Sequence, residues 1–201
     1  MGEAEPTRAT GKRQPARERV LAAAARRFYA DGVTATGIDT ITAEAGVAKM
    51  SLYNNFSSKA DLVLAYLDAR HEEWLARYRA RLQGVGTPRE GVLAVFDTYV
   101  DSADAAVDDE AFRGCGLLNA AAELPAGNEG RTLVRRHKEE VERLMGAHLE
   151  ALLPGRPDAA RTTAEQLAFL LEGAMVRAGL EGGSDRLRHA RAMAARLLEQ
   201  L

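Results

Sequence analysis

The sequence predicts an all-α protein of about nine helices, with three short N-terminal helices set on a larger C-terminal helical bundle. Three observations predict it. Ala, Leu, Arg and Glu dominate a chain of 201 residues that is 46% hydrophobic and only 5% aromatic, a mixture that favours helix over sheet. Apolar residues recur at spacings of three and four, and no segment alternates convincingly at period two. Helix-starting and helix-stopping residues stand at the ends of those stretches.

The elements follow in order. Residues 1–11 are polar and are expected to form a disordered tail. From Arg17 onward, Val20, Leu21, Ala24 and Phe28 share one helical face, and Asp31-Gly32 ends the helix. Short helices are expected from about Ile38 to Ala45 and from about Lys49 to Asn55. Ser58, with Asp61 three residues on, caps a long helix reaching about Leu82. Thr87, Pro88 and Glu90 open the next, to about Val107. Further helices are expected from about Cys115 to Leu124, Thr132 to Leu153 and Ala159 to Leu180, separated by "PAGNEG" and "PGRPD". Ser184 then caps a last helix to the C-terminus.

Charge divides the chain. Residues 12–60 hold eight Lys/Arg against four Asp/Glu, a formal +4; residues 61–201 hold 18 against 23, a formal -5. A basic front end on an acidic body points to a polyanion partner at one end only. The single cysteine, Cys115, excludes an intrachain disulfide and suits a reducing compartment. The N-terminus lacks a signal-type apolar core, and no apolar run is long enough to span a bilayer. A soluble, cytoplasmic protein with no membrane partner is expected.

Residues 38–56 read as a helix-turn-helix. Ile41, Ala45, Val47, Leu52 and Phe56 are its apolar positions, and Gly46 supplies the positive φ that the turn needs. The second helix buries Leu52 and leaves Lys49, Met50, Ser51, Tyr53 and Asn54 toward solvent. Such a helix fits the major groove, whose base edges offer donors, acceptors and thymine methyls. Lys49 suits a phosphate or a guanine, Met50 a thymine methyl, and Tyr53 and Asn54 phosphate oxygens or base edges. Thr36, ahead of the second helix, and Lys59, at the start of the next, are placed where an anion would sit. On spacing alone, a plain helical hairpin with a polar surface fits equally well.

The spacing of Ala24, Phe28 and Gly32, followed by "TATGID", "AEAGVAKMSLYNNF" and "SSKADL", resembles the N-terminal DNA-binding domain of the TetR family of bacterial transcriptional regulators. The likeness covers about fifty consecutive residues. It implies a helix-turn-helix domain over 12–60 and a ligand-binding and dimerisation domain over 61–201. It also implies DNA contacts at Thr36 and Gly37 (phosphate), Lys49, Met50 and Ser51 (bases), Tyr53 and Asn54 (backbone or groove) and Lys59 (phosphate). Two positions depart from the family pattern. Thr42 stands where Ala is usual at a tight packing position, and Asn55 where an imidazole is common.

The resemblance further implies a homodimer, a double-stranded DNA operator and a small-molecule effector held among the middle helices. It makes repression the default; activation stays open. Leu167, Leu171, Ala174 and Ala178, with Leu187, Ala194 and Leu197, form small-residue stripes expected at the dimer interface, although periodicity cannot separate an interface from the chain's own core. Trp74, Tyr78, Phe96, Tyr99, Phe112, Cys115, Asn119, His137 and His148 are the candidates for an effector pocket, which mixes aromatic walls with a few polar anchors. His137 and His148 stand roughly 16 Å apart along one helix, too far to share a metal. The run "RRHKEEVER" reads as a solvated face.

An enzyme is not expected, and neither a catalytic residue, a cofactor nor a metal site is assigned. None of the four histidines has Glu three positions before it, and there is no H-E-x-x-H, P-loop or G-x-S-x-G. A helical interaction module would explain the apolar stripes but not the reading helix or the +4 front end. For Cys115, flanked by Gly114 and Gly116, a small buried residue competes with an oxidant or electrophile sensor.

Overall fold

A computed structural model describes residues 14–108 and 112–201; the expected tail, 1–11, lies outside them. The described residues form nine α-helices and no strand: α1 (Ala16–Asp31), α2 (Ile38–Ala45), α3 (Lys49–Tyr53), α4 (Lys59–Leu82), α5 (Pro88–Asp108), α6 (Gly116–Glu123), α7 (Glu129–Leu152), α8 (Pro157–Glu181) and α9 (Asp185–Glu199). No described helix is long and apolar enough to cross a membrane.

Most helix ends follow their local chemistry. Ser58 Oγ accepts from the Asp61 N–H at 3.0 Å, and the Asp61 carboxylate accepts from the Ser57 N–H at 2.9 Å. At α5, Thr87 Oγ1 accepts from the Glu90 N–H, while Glu90 accepts from Gly86 and Thr87, both at 2.9 Å. Each exchange satisfies backbone donors that a helix start leaves over. Two starts fall earlier than periodicity indicates. Asn128 caps α7 by accepting from the Gly130 N–H at 2.8 Å. The helix therefore begins inside what reads as a loop, and a side chain at Gly130 would collide with Leu124. Helix α8 begins at Pro157, where a missing N–H costs nothing. Ser184 does not cap α9 with its side chain; its hydroxyl donates to Asp104 at 2.5 Å and ties α9 to α5.

Two apolar clusters hold the chain together. The first joins Val20, Ala24 and Phe28 of α1 to Ile41, Leu52, Phe56 and the first half of α4, and it takes in Ala120, Leu133 and Val134. The second joins the rest of α4 to α5, α7, α8 and α9 around Phe96, Met145, Leu149, Leu167 and Leu171. Helix α4 contributes to both.

This packing revises the expected dimer face. Leu167, Leu171, Ala174, Ala178, Leu187 and Ala194 are buried in the chain's own second cluster, and Leu197 packs partly buried against it. The stripes face inward because α5 and α7 need an apolar partner. The large apolar side chains that α8 and α9 leave outside are Phe169, Val176, Leu180 and Met193, with Leu201 at the chain end. Helix α8 therefore has two apolar faces. The run "RRHKEEVER" is likewise only partly a solvated face: His137 is buried, Lys138 pairs with Glu172 at 2.8 Å, and Glu140 pairs with His71. Leu171→Ala is expected to cost about 2–5 kcal/mol, measured by urea denaturation; a loss below about 0.5 kcal/mol, the size typical of surface positions, would remove Leu171 from the core.

Candidate functional site

The reading unit is built on α1. Gly46 takes φ 61° and ψ 43° at the end of α2, and the Val47 N–H donates to Thr42 O at 3.1 Å, closing a tight left-handed cap. From α1, Arg19 Nη1 donates to Ala45 O at 2.8 Å and to Gly46 O at 3.0 Å, holding the turn. Glu44 pairs with both Arg26 and Arg27, which pull its pKa down. Thr42 is buried, with its hydroxyl turned back onto Asp39 O at 3.1 Å. The position usual for Ala thus takes Thr without leaving an unpaired polar group.

Helix α3 is anchored by Leu52, which is fully buried, and by Phe56 just beyond it. The opposite side is open: Met50 is 70% exposed, Tyr53 is 43% exposed, and Lys49 and Asn54 are also exposed. Ser51 is half-buried. Lys49, a cation at a helix N-terminus, is paired with Asp39 at 2.8 Å, which raises its pKa. Asn55 Nδ2 donates to Ser51 O at 2.7 Å and completes the last turn. Lys59 Nζ donates to Thr34 O at 3.2 Å, which brings its charge beside the start of α2, where Gly37 is exposed. Thr36 departs from expectation: it is buried, and its hydroxyl donates to Gly32 O at 2.6 Å. That hydroxyl shapes the turn rather than facing out.

Behind α1 lies a cavity of about 530 Å³. Of the nine expected pocket residues, Trp74, Tyr99, Phe112 and Cys115 line it. Phe96 is packed away in the second cluster. Tyr78 and His148 bond to each other at 2.8 Å, His148 lying on Gly91, where any Cβ would strike the imidazole. His137 stacks on His71, ring centroids 4.1 Å apart, and bonds Asp68 at 3.1 Å. Asn119 belongs to a smaller neighbouring cavity of about 180 Å³. Sequence reasoning missed Arg26 and Tyr29 of α1, Arg70, His71 and Arg77 of α4, and Met175 of α8, all of which line the larger cavity. For Tyr29 no local signal exists, because its partners lie more than eighty residues away.

Those partners join head to body. Tyr29 Oη accepts from the Arg113 N–H at 2.6 Å and donates to Gly114 O at 3.0 Å. Arg113 Nη1 donates to Tyr29 O at 2.9 Å and also to Ala30 O, satisfying carbonyls at the end of α1. Glu123 accepts from the Thr34 N–H at 2.6 Å. Gly114, at φ 82°, lies against Gly179 of α8, where a side chain on either would meet backbone.

The fold is an N-terminal helix-turn-helix unit with an exposed reading helix, carried on a helical body, with an open cavity lined by both. Residues 20–66 match the family described as bacterial regulatory proteins, tetR family. The HTH-type transcriptional regulator TtgR of Pseudomonas putida is 30% identical over 163 residues, 78% of this chain and 77% of that one. The HTH-type transcriptional activator FasR of Mycolicibacterium smegmatis is 35% identical over 94 residues, 45% of this chain and 43% of its own. The crystal structure of SCO4454, a TetR-family transcriptional regulator from Streptomyces coelicolor, matches with a TM-score of 0.79 at 32% identity, covering 92% of this chain and 96% of that one. The chain belongs to the TetR family: it is a DNA-binding transcriptional regulator, as its relatives are, and not an enzyme.

Two imidazoles, His137 buried and His148 half-buried, are expected to make this body acid-sensitive. Burial pushes the pKa of His148 down, and burial together with His71 pushes down that of His137. The folded chain therefore binds fewer protons than the unfolded chain just below the ordinary imidazole value of 6.5. Stability is full above that value and falls as the pH drops through it toward the lowered folded values. His148→Gln should flatten the decline in urea midpoint between about pH 7 and pH 5; an unchanged slope would show that His148 does not contribute.

Proposed function

We propose that this chain is a ligand-responsive repressor that binds a near-palindromic operator as a homodimer and is released by a small-molecule effector. The observation that carries the reading is α3: one side is fixed by buried Leu52, and the other displays Lys49, Met50, Tyr53 and Asn54. Lys49, Met50 and Ser51 face base edges, while Tyr53, Asn54 and Lys59 hold the sugar-phosphate backbone. Gly37 and Thr36 take part through backbone N–H groups at the start of α2. Residues 12–60 serve as the DNA-binding domain, and 61–201 bind effector and partner.

One such helix covers only a few base pairs, so operator affinity calls for two. Phe169, Val176 and Leu180 recur at spacings of seven and four on the outer face of α8. Exposed Gly173 between them allows close helix approach. With Met193 of α9 they make the dimer face in this reading, in place of the inward stripes. A two-fold pairing of α8 and α9 sets the separation of the two reading helices. An effector in the cavity presses on Tyr29 of α1 and Trp74 of α4, both of which lead to the head, and so alters that separation.

Replacing Tyr53 and Lys59 with Ala should weaken operator binding at least tenfold and lower the salt slope by about one for the lost phosphate contact. Affinity and slope both unchanged in a fluorescence-anisotropy titration would overturn the docking. Val176→Asp with Leu180→Asp should yield a folded monomer by light scattering and circular dichroism, with operator binding lost. A dimer that survives both changes would place the interface elsewhere.

A further inference from the structure

We propose that the effector is an amphipathic organic anion, an aromatic or otherwise apolar body carrying a carboxylate or similar acidic group. This rests on the reading of the cavity as the effector site and names what that site selects. The inner wall is apolar and aromatic: Trp74, Tyr99, Phe112 and Met175 are there. Two polar groups beside that wall already have partners within the chain. His71 bonds Glu140 at 2.9 Å, and Lys138 bonds Glu172 at 2.8 Å while lying over the Tyr99 ring. A ligand body therefore meets apolar surface inside, and its affinity there follows the area it buries.

The remaining lining charges are uneven. Among the described lining residues stand three guanidiniums, Arg26, Arg70 and Arg77, against one carboxylate, Glu73. Arg26 is engaged by Glu44, and Arg70 by Glu73 at 2.7 Å. Among the described residues Arg77 meets a neutral group: its Nη1 donates to Ser102 Oγ at 3.1 Å. Ser102 is itself fixed, donating to Thr98 O at 2.8 Å, so it holds Arg77 in place at the cavity. A planar guanidinium keeps further N–H donors and suits a two-point grip on a carboxylate. Arg70 and Arg77 stand seven residues apart on α4, about two turns, so both lie along one side of the cavity. These groups are at least partly exposed. An acid anchored among them keeps some hydration and avoids the cost of burying an ion.

A cationic ligand is the rival, because aromatic walls also attract cations. It fits less well: Glu73, the carboxylate it would need, is held by Arg70, and Lys138 already occupies a face of Tyr99.

Three probes of one shape decide the matter on the full chain: biphenyl-4-carboxylate, biphenyl-4-carboxamide and biphenyl-4-ylmethylammonium. Binding is read by calorimetry and by the fluorescence of Trp74, the single tryptophan, which lies in the cavity wall. The carboxylate should bind about tenfold more tightly than the amide, with an advantage that shrinks as salt rises. Arg77→Gln should bring carboxylate and amide to near parity, with the larger loss falling on the carboxylate, and Arg77→Lys should restore part of the preference. Equal binding of carboxylate and amide by the unaltered protein, or tightest binding of the ammonium, would overturn the anion assignment and leave the cavity as a ligand site. If none of the three binds or perturbs Trp74 at millimolar concentration, the cavity reading falls and takes the anion with it.

Discussion

Helix α1 has to satisfy two sets of neighbours, and the rest of the molecule depends on how it does so. One face receives Ile41, Leu52 and Phe56 and thereby fixes the reading helix. Another carries Tyr29 and Arg26 to the cavity. The same helix ends under Arg113, whose guanidinium takes carbonyls at its C-terminus. A helix of 16 residues is a stiff object, and packed contacts move as units rather than deforming gradually. In the proposed mechanism, a change at the cavity wall is passed along this helix to the head. Helix α4, shared between the two apolar clusters, is the second such connection.

Much of this was legible in the sequence, for identifiable reasons. Helix starts at Ser58 and Thr87 depend on groups three residues apart, so local spacing is enough to find them. The short helix with Leu52 as its buried anchor was legible from local spacing, but spacing alone fitted a plain polar hairpin equally well, and it was the resemblance over about fifty residues that marked it as a reading helix. What stayed hidden depends on contacts across the fold. Periodicity detects that Leu167, Leu171, Ala174 and Ala178 share a stripe but not what the stripe faces; α5 and α7 claim it. The outer stripe of Phe169, Val176 and Leu180 was masked by the stronger inner one. Tyr29 follows Phe28, and nothing local separates a cavity wall from a core edge. Its role comes from a loop of Arg113 and Gly114 far along the chain.

The two departures from the family pattern behave differently. Thr42 keeps the helix-turn-helix packing intact by bonding back into its own helix. Asn55 spends its amide donor on Ser51 O, so its contribution is to finish α3. Thr36 shows the same economy, its hydroxyl closing the turn before α2. In each case a polar side chain in the head serves the shape of the reading surface, and the surface itself is left to Lys49, Met50, Tyr53 and Asn54.

The central claim is that two such heads, held by one dimer, read duplex DNA. It is tested most directly by selecting bound fragments from a random duplex pool at physiological salt and sequencing them. The account predicts enrichment of a near-palindrome with one fixed half-site spacing. Enrichment of isolated half-sites, or no enrichment by a folded dimer, would contradict it.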